Sequence, residues 1–304
     1  YFISLKKEPK KLNPMKPKII LVSVLMVFTF FVSCSSNESI QESVAITSDD
    51  IVADADIDGA VDDVSNVAED QYAIQQSLTL KTTQSVKSIL PACATITIVV
   101  TNDTWTRTID FGTDGCTLQN GNVVKGKIIV SASRNFSELT KSISISFVKF
   151  YHNNKLIEGS RTITSTVKTS DLLATAHPVF TNSIDMTVTF ADGRKYSRIG
   201  TRVRELVEGI DTKFVLEDNV YLVWGYHITT FPNGSKFTAT IKTPLRFVMA
   251  CKMPFPVSGT KTFMKTDKDG LNKKEGLIDF GKGECDDLAT ITINGETREI
   301  HLKK

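Results

Sequence analysis

From Ala94 onward the apolar residues recur with a period of two, and this alternation restricts the body of the chain to β-structure. Ile96 and Ile98 alternate with threonines, and Ile143, Ile145 and Phe147 alternate with serines. Met186, Val188 and Phe190 repeat the pattern, as do Phe237, Ala239 and Ile241, then Ile291 and Ile293. Threonine and β-branched residues fill these runs, as a pleated, half-buried surface requires. Between the runs lie Asn120-Gly121, Asn153-Asn154, Asp192-Gly193, Asn233-Gly234, Asp269-Gly270 and Asn294-Gly295. Each dipeptide tolerates positive φ and so reverses the chain between antiparallel strands. Gly126, Gly159 and Gly200 fall inside strands and predict bulges or sharp bends, hence strong curvature. No stretch after about residue 91 has a helical period. The expectation is an all-β fold of about twelve long strands, a curved antiparallel hairpin meander closed as a sandwich or an open barrel-like sheet.

The charge distribution separates a leader from this body. Residues 35–90 carry two lysines, Lys81 and Lys87, against 11 carboxylates, whereas residues 91–304 carry 28 Lys and Arg against 22 Asp and Glu. An acidic leader before a mildly basic body predicts a spacer over 34–90 and a folded domain over 91–304. Within the spacer Ile57, Val61, Val64 and Ala68 recur at helical spacing, so a short solvated amphipathic helix is expected around Asp50 to Asp70. Asp54, Asp56 and Asp58 before Gly59 spell the start of a calcium loop. The twelfth position of that loop is Ser65 rather than a bidentate glutamate, which argues against calcium. The basic excess of the body is scattered, so nucleic acid is not an expected partner.

An exported address precedes the spacer. Lys16 and Lys18 open a positive segment, and Ile19 to Val32 is an apolar run without charge, about 14 residues and short of the roughly 20 that cross a bilayer. A charged start, a short apolar middle and a small residue before the cut mark residues 15–33 as a signal peptide. Its end, Phe31-Val32-Ser33-Cys34, has the form of a bacterial lipobox, with Phe31 where leucine is usual. Cys34 is therefore the expected site of lipidation, and residues 1–14 read as an extension upstream of Met15. The expected location is the outer membrane, lipid-anchored, on its periplasmic or outer face.

The other four cysteines, Cys93, Cys116, Cys251 and Cys285, suit two disulfides in an oxidising compartment. Four cysteines allow three pairings, but an internal echo selects one. Ile109-Asp110-Phe111-Gly112 precedes Cys116 as Ile278-Asp279-Phe280-Gly281 precedes Cys285, and each unit has one further cysteine upstream. Cys93–Cys116 and Cys251–Cys285 are therefore expected, each closing a loop worth about 3–4 kcal/mol in the chain-entropy model.

CATITI, IDFGTDGC, KGKIIV, EGSRTIT, IDFGKGEC and ATITINGETREI together resemble uncharacterised lipoproteins of the Bacteroidota. The resemblance covers most of residues 50–304 and implies a lipid-anchored envelope protein. It brings no activity and no catalytic residues.

Two strands hold the candidate binding residues. In residues 219–231 both faces carry apolar side chains, which predicts a central strand covered on each side. Trp224 and Tyr226 are then expected in the core, the alternative being an aromatic platform for a sugar ring. After Asp192-Gly193, the side chains of Arg194, Arg198, Arg202 and Arg204 share one parity. They are read as a solvated face balanced by Glu205 and Glu208, the alternative being a surface for phosphates or acidic sugars. No G-x-S-x-G, H-E-x-x-H, C-x-x-C or phosphate-cradling loop is present. The four histidines, His152, His177, His227 and His301, have no adjacent partner in sequence. The function expected is non-enzymatic binding or structural work at the envelope, with no cofactor and no metal. Partners are the membrane, through the N-terminal lipid, and a glycan, lipid or envelope-protein ligand. The alternatives are a glycan hydrolase with paired carboxylates or a carrier of lipid or other hydrophobic cargo.

Overall fold

The structure, a computed structural model, describes residues 45–80, 87–212, 215 and 217–302. The expected signal peptide at residues 15–33, Cys34 and residues 1–14 lie outside the described residues. One long helix, α1 (Ser48–Leu80), precedes an antiparallel meander of fourteen strands. In chain order these are β1 (Thr95–Val100), β2 (Thr104–Asp110), β3 (Cys116–Thr117), β4 (Val123–Ser133), β5 (Thr140–His152), β6 (Lys155–Lys168) and β7 (His177–Thr189). There follow β8 (Lys195–Glu208), β9 (Val220–Thr230), β10 (Lys236–Val248), β11 (Ser258–Thr266), β12 (Lys273–Lys282), β13 (Leu288–Ile293) and β14 (Glu296–His301). Every strand pairs with its sequence neighbour, except that β2 pairs with β4 and the two-residue β3 sits on β4. The sheet does not close, because β1 and β14 end the hydrogen-bonded path without meeting. The hairpin meander expected from alternation is thus present in its open form.

All six turn dipeptides sit at reversals, and Asn153, Asn154, Asn294 and Gly193 take positive φ there. The duplicated motif is a duplicated structure. The Gly112 amide donates to Asp110 Oδ1 at 2.9 Å, and the Gly281 amide donates to Asp279 Oδ1 at 3.0 Å. Phe111 and Phe280, the residues enclosed by these two bonds, are buried. Cys93 pairs with Cys116 and Cys251 with Cys285, with Cα atoms 6.0 and 5.4 Å apart, the connectivity the echo predicts.

Curvature enters at the glycines. At Gly126 (φ 78°) the β4–β5 register slips, and an added Cβ would lie 1.9 Å from the Lys149 carbonyl oxygen. Gly126→Ala is expected to destabilise by about 1–2 kcal/mol from the left-handed backbone alone, more if the strand cannot move away. Urea denaturation measures it, and an unchanged midpoint would show that the bulge relaxes freely. Gly200 lies in unbroken register instead, so there the sheet gains close approach rather than a bulge.

The acidic leader departs most from its sequence reading. The helix runs for 33 residues, far beyond Asp50 to Asp70, and it is not a solvated tether. Ile57, Val61, Val64 and Ala68, the predicted apolar stripe, are fully buried, but so are Asp54, Asp63, Ser65, Asp70 and Gln71 around them. Helix and sheet belong to one compact unit, Ser43–Lys304, so no domain boundary falls at residue 91. Side chains of β2, β5, β6, β7, β8, β9, β11 and β14 all reach α1. A sheet touching one helix from so many strands must curl around it. Trp105, Ile128, Ile145, Phe150, Ile163 and Phe263 on its inner side form the core against that helix. No described helix is long and apolar enough to cross a membrane.

Candidate functional site

Charge is concentrated where α1 meets the inner face of β8, β9 and β11. A strand advances about 6.6–6.8 Å per inward residue, and a helix about 6 Å per four residues. Acidic residues at i, i+4 and i+8 of the helix therefore keep step with cations at alternate positions of a strand lying alongside. Asp54, Asp58 and Asp62 supply the first row; Arg198, Arg202 and Arg204, with a gap at Gly200, supply the second. Arg198 donates to both Asp54 and Asp58. Arg202 bridges Asp58 (2.9 Å) and Asp62 (2.8 Å). Arg204 reaches Glu69 at 3.1 Å and Asn66 Oδ1 at 2.9 Å, with its guanidinium 4.3 Å from the centre of the Tyr221 ring. Lys261 of β11 completes the cluster, its Nζ 2.7 Å from Asp54 and 3.0 Å from Asp58.

His227 of β9 fills the space that Gly200 leaves, with Nε2 2.7 Å from Asp54 Oδ1. Three carboxylates (Asp54, Asp58, Asp62) face three cations (Arg198, Arg202, Lys261), so the cluster balances with the imidazole neutral. The electrostatics agree. Burial, then the Arg198 charge, pushes His227 down. Burial acts to raise Asp54 and Asp58, but Lys261, His227 and Arg198 around the first, and Arg202 and Lys261 around the second, hold both well below the usual carboxylate range. Burial alone would lower Lys261, and its two carboxylates reverse that.

The same arrangement answers the calcium question. Ligand atoms of Asp54, Asp58 and His227 lie within 4.8 Å of one another, close enough to hold a metal. Their oxygens already receive Lys261, Arg198 and Arg202, and a divalent ion would have to displace those cations. Asp56, the middle residue of the calcium motif, points elsewhere and pairs with Lys155 at 3.1 Å.

Smaller polar sites pin the rest of the helix. Asp63 accepts from Asn120 (2.6 Å) and Asn122 (2.7 Å) and lies 2.8 Å from His152 Nε2. Arg161, on β6, donates to the Val61 carbonyl (2.6 Å), to Ser65 Oγ (2.8 Å) and to Asn182 Oδ1 (2.9 Å). Burial, with only neutral atoms in direct contact, pushes its guanidinium down to about 9. Arg107 donates to Gln71 and Gln75. On the outer side, His177 Nε2 lies 2.8 Å from Glu205, which also accepts from Ser170 Oγ at 2.6 Å, under the loop joining β6 to β7. Exposed His301 lies 3.1 Å from Asp287.

Two expectations are overturned here. The arginine row is not a solvated face: Arg198, Arg202 and Arg204 point inward and are buried, because the acidic partner is the chain's own helix. Arg194 alone stays at the surface, paired with Asp192 at 2.7 Å. The expected balancing residues take no part, since Glu205 is buried under the outer loop and Glu208 pairs with Arg246. Trp224 and Tyr226 are not core residues either. β9 packs on α1 with one face, and its other face is external around Trp224 and Tyr226. There Trp224 is partly exposed and Tyr226 is 51 % exposed, beside Ile199 of β8 at 50 %. Thr201 pairs with Tyr226 and Val203 with Trp224 across that outer surface.

Clefts of different size and lining border α1, and one beside Asp56, Asn120, Asn122, His152, Lys155 and Phe255 holds about 400 Å³. A more apolar cleft, between Val67, Leu118, Val223, Phe247, Met249 and Met253, holds about 90 Å³. That is smaller than the roughly 150 Å³ that admits a benzene ring. Sequence reasoning singled out Asp54, Asp58, Arg198, Arg202, Arg204 and His227 but neither Asp62 and Lys261 nor the assembly of the cluster; the matched pitch of the two charged rows was the available signal. Comparison of the chain with protein-family models, with curated proteins and with solved structures finds no match.

Proposed function

We propose that this chain is a lipid-anchored cell-envelope protein whose folded body has a non-enzymatic binding role, with a glycan as ligand on the outer face of β8 and β9. The observation that carries this reading is the outward placement of Trp224 and Tyr226. Aromatic rings with an apolar face and a polar edge, bordered by the hydroxyl of Thr201, suit the faces and hydroxyls of a sugar ring. The inner face supports the same division of labour, since α1 fills it and its arginines are engaged by α1. A hydrolase reading needs two carboxylates converging in an open cleft. Asp54 and Asp58 converge, but both are buried or nearly so and ion-paired. A carrier of hydrophobic cargo needs an apolar cavity, whereas the cleft of about 400 Å³ beside α1 is bordered by Asp56, Asn120, Asn122, His152, Asn153 and Lys155.

Glycan-array binding by the purified protein tests the proposal. Trp224→Ala and Tyr226→Ala are expected to cost about 1–3 kcal/mol of glycan affinity each, a loss of roughly 5- to 150-fold. Circular dichroism and melting temperature should stay close to those of the parent. Retention that survives both substitutions would defeat the platform. Mass spectrometry of the native N-terminus tests the anchor, with Cys34 acylated as the expected result.

A further inference from the structure

The two edges of the open sheet differ sharply. β14 carries Glu296, Arg298, Glu299 and His301, the charges that normally guard an edge against further pairing. β1 reads Thr-Ile-Thr-Ile-Val-Val, with no charge, no proline and no bulge, and all six residues are exposed. Ile96, Ile98, Val99 and Val100 are 41, 46, 57 and 50 % exposed. Ile96, Ile98 and Val100 stand opposite Ile109, Arg107 and Trp105, all buried on the inner side of β2. The apolar inner face of the sheet therefore continues onto β1 and, among the described residues, ends there without a further strand to pair with its outer edge.

We propose that β1 is a homodimerisation edge, pairing antiparallel with β1 of a second copy about a two-fold axis beside Ile98. Antiparallel pairing of identical strands is self-complementary. In this register Ile98 meets its own counterpart, and Ile96 meets Val100 of the other copy, so β-branched pairs fall on the inner face. Charge selects this occupant over the alternatives on the same chain. An uncharged strand opposes no like charges when paired with itself. Two β14 edges would set their own Glu and Arg rows against each other, and β14 against β1 would lay those charges along an apolar stripe. Two copies joined in this way form one continuous sheet with a charged edge at each end, so growth stops at the dimer.

Analytical ultracentrifugation of the full chain in detergent tests this. The parent is expected to sediment as two copies, and Ile98→Lys, which sets two ammonium groups face to face, should raise the dissociation constant about tenfold or more. Mixing Ile98→Lys with Ile98→Glu should restore the dimer, and Ile98→Cys should cross-link between copies under oxidation while the native disulfides persist. These readouts do not require the lysine variant to be well folded alone. A monomeric parent at tens of micromolar, a dimer indifferent to Ile98→Lys, or mass that climbs with concentration without a plateau would each overturn the proposal.

Discussion

Asp54→Ala is expected to lower the stability of the fold by about 3–5 kcal/mol, the range for removing one partner of a buried ion pair. For a domain of this size that corresponds to a fall of roughly 6–20 °C in melting temperature. Asp54 is 2 % exposed and contacts Arg198, His227 and Lys261, so its loss leaves Arg198 and Lys261 to share Asp58 with Arg202 and one buried positive charge uncompensated. The double variant Asp54→Ala with Lys261→Met should recover part of the loss, because the uncompensated charge goes with its partner. A surface ion pair behaves differently, contributing about 0–1 kcal/mol. Asp192→Ala, which removes the exposed partner of Arg194, is the matching control and should scarcely move the melting temperature. If Asp54→Ala and Asp192→Ala proved equally mild, α1 would not be held by this cluster.

Acid should unfold the protein in two stages, and the sign follows from which state binds more protons. His227 titrates lower in the fold than its ordinary value of 6.5, so the unfolded chain takes up its proton first. Its contribution is present above pH 6.5 and is lost as pH falls below that. Asp54 and Asp58 are held below the usual 3.8, so their contribution is present above pH 3.8 and is lost as pH falls towards their depressed values. Within its window each group adds a slope of about 1.4 kcal/mol per pH unit. Burial raises Glu69 and Asp70, which act in the opposite direction near their own ordinary values and partly mask the histidine stage. The steep loss below pH 3.8 should therefore dominate denaturant titrations made at a series of pH values. His227→Gln should remove the upper stage and Asp58→Asn should flatten the lower one. An unchanged pH profile in both variants would mean that these groups titrate alike folded and unfolded.

Disulfide placement shows how far sequence pattern reaches. The repeated Ile-Asp-Phe-Gly before Cys116 and Cys285 is a local device, in which an aspartate accepts from the amide two residues on. Each cysteine then lands beside its upstream partner. The six turn dipeptides are equally local, because φ is a property of one residue. Alternation identified the strands for the same reason. The leader misled because its carboxylates were weighed against water. Eleven acids against two lysines read as solvated until their counterions are known, and the Lys and Arg that meet them lie from 99 (Lys155 to Asp56) to 215 (Lys265 to Asp50) residues further along the chain.

The sequence by itself pointed to an antiparallel meander of about twelve strands, where the structure has fourteen, and to its turns and the cysteine pairing, since each rests on contacts between near neighbours. Only the tertiary structure decided which face of the sheet is inside, and it did so with the helix. Once α1 lies in the curl, Arg198, Arg202 and Arg204 become interior ion pairs and Trp224 and Tyr226 become surface. The physical reason is that a β-strand offers two faces of similar composition here, and burial of a charged face becomes favourable only when an acidic partner of matching pitch arrives from elsewhere in the chain.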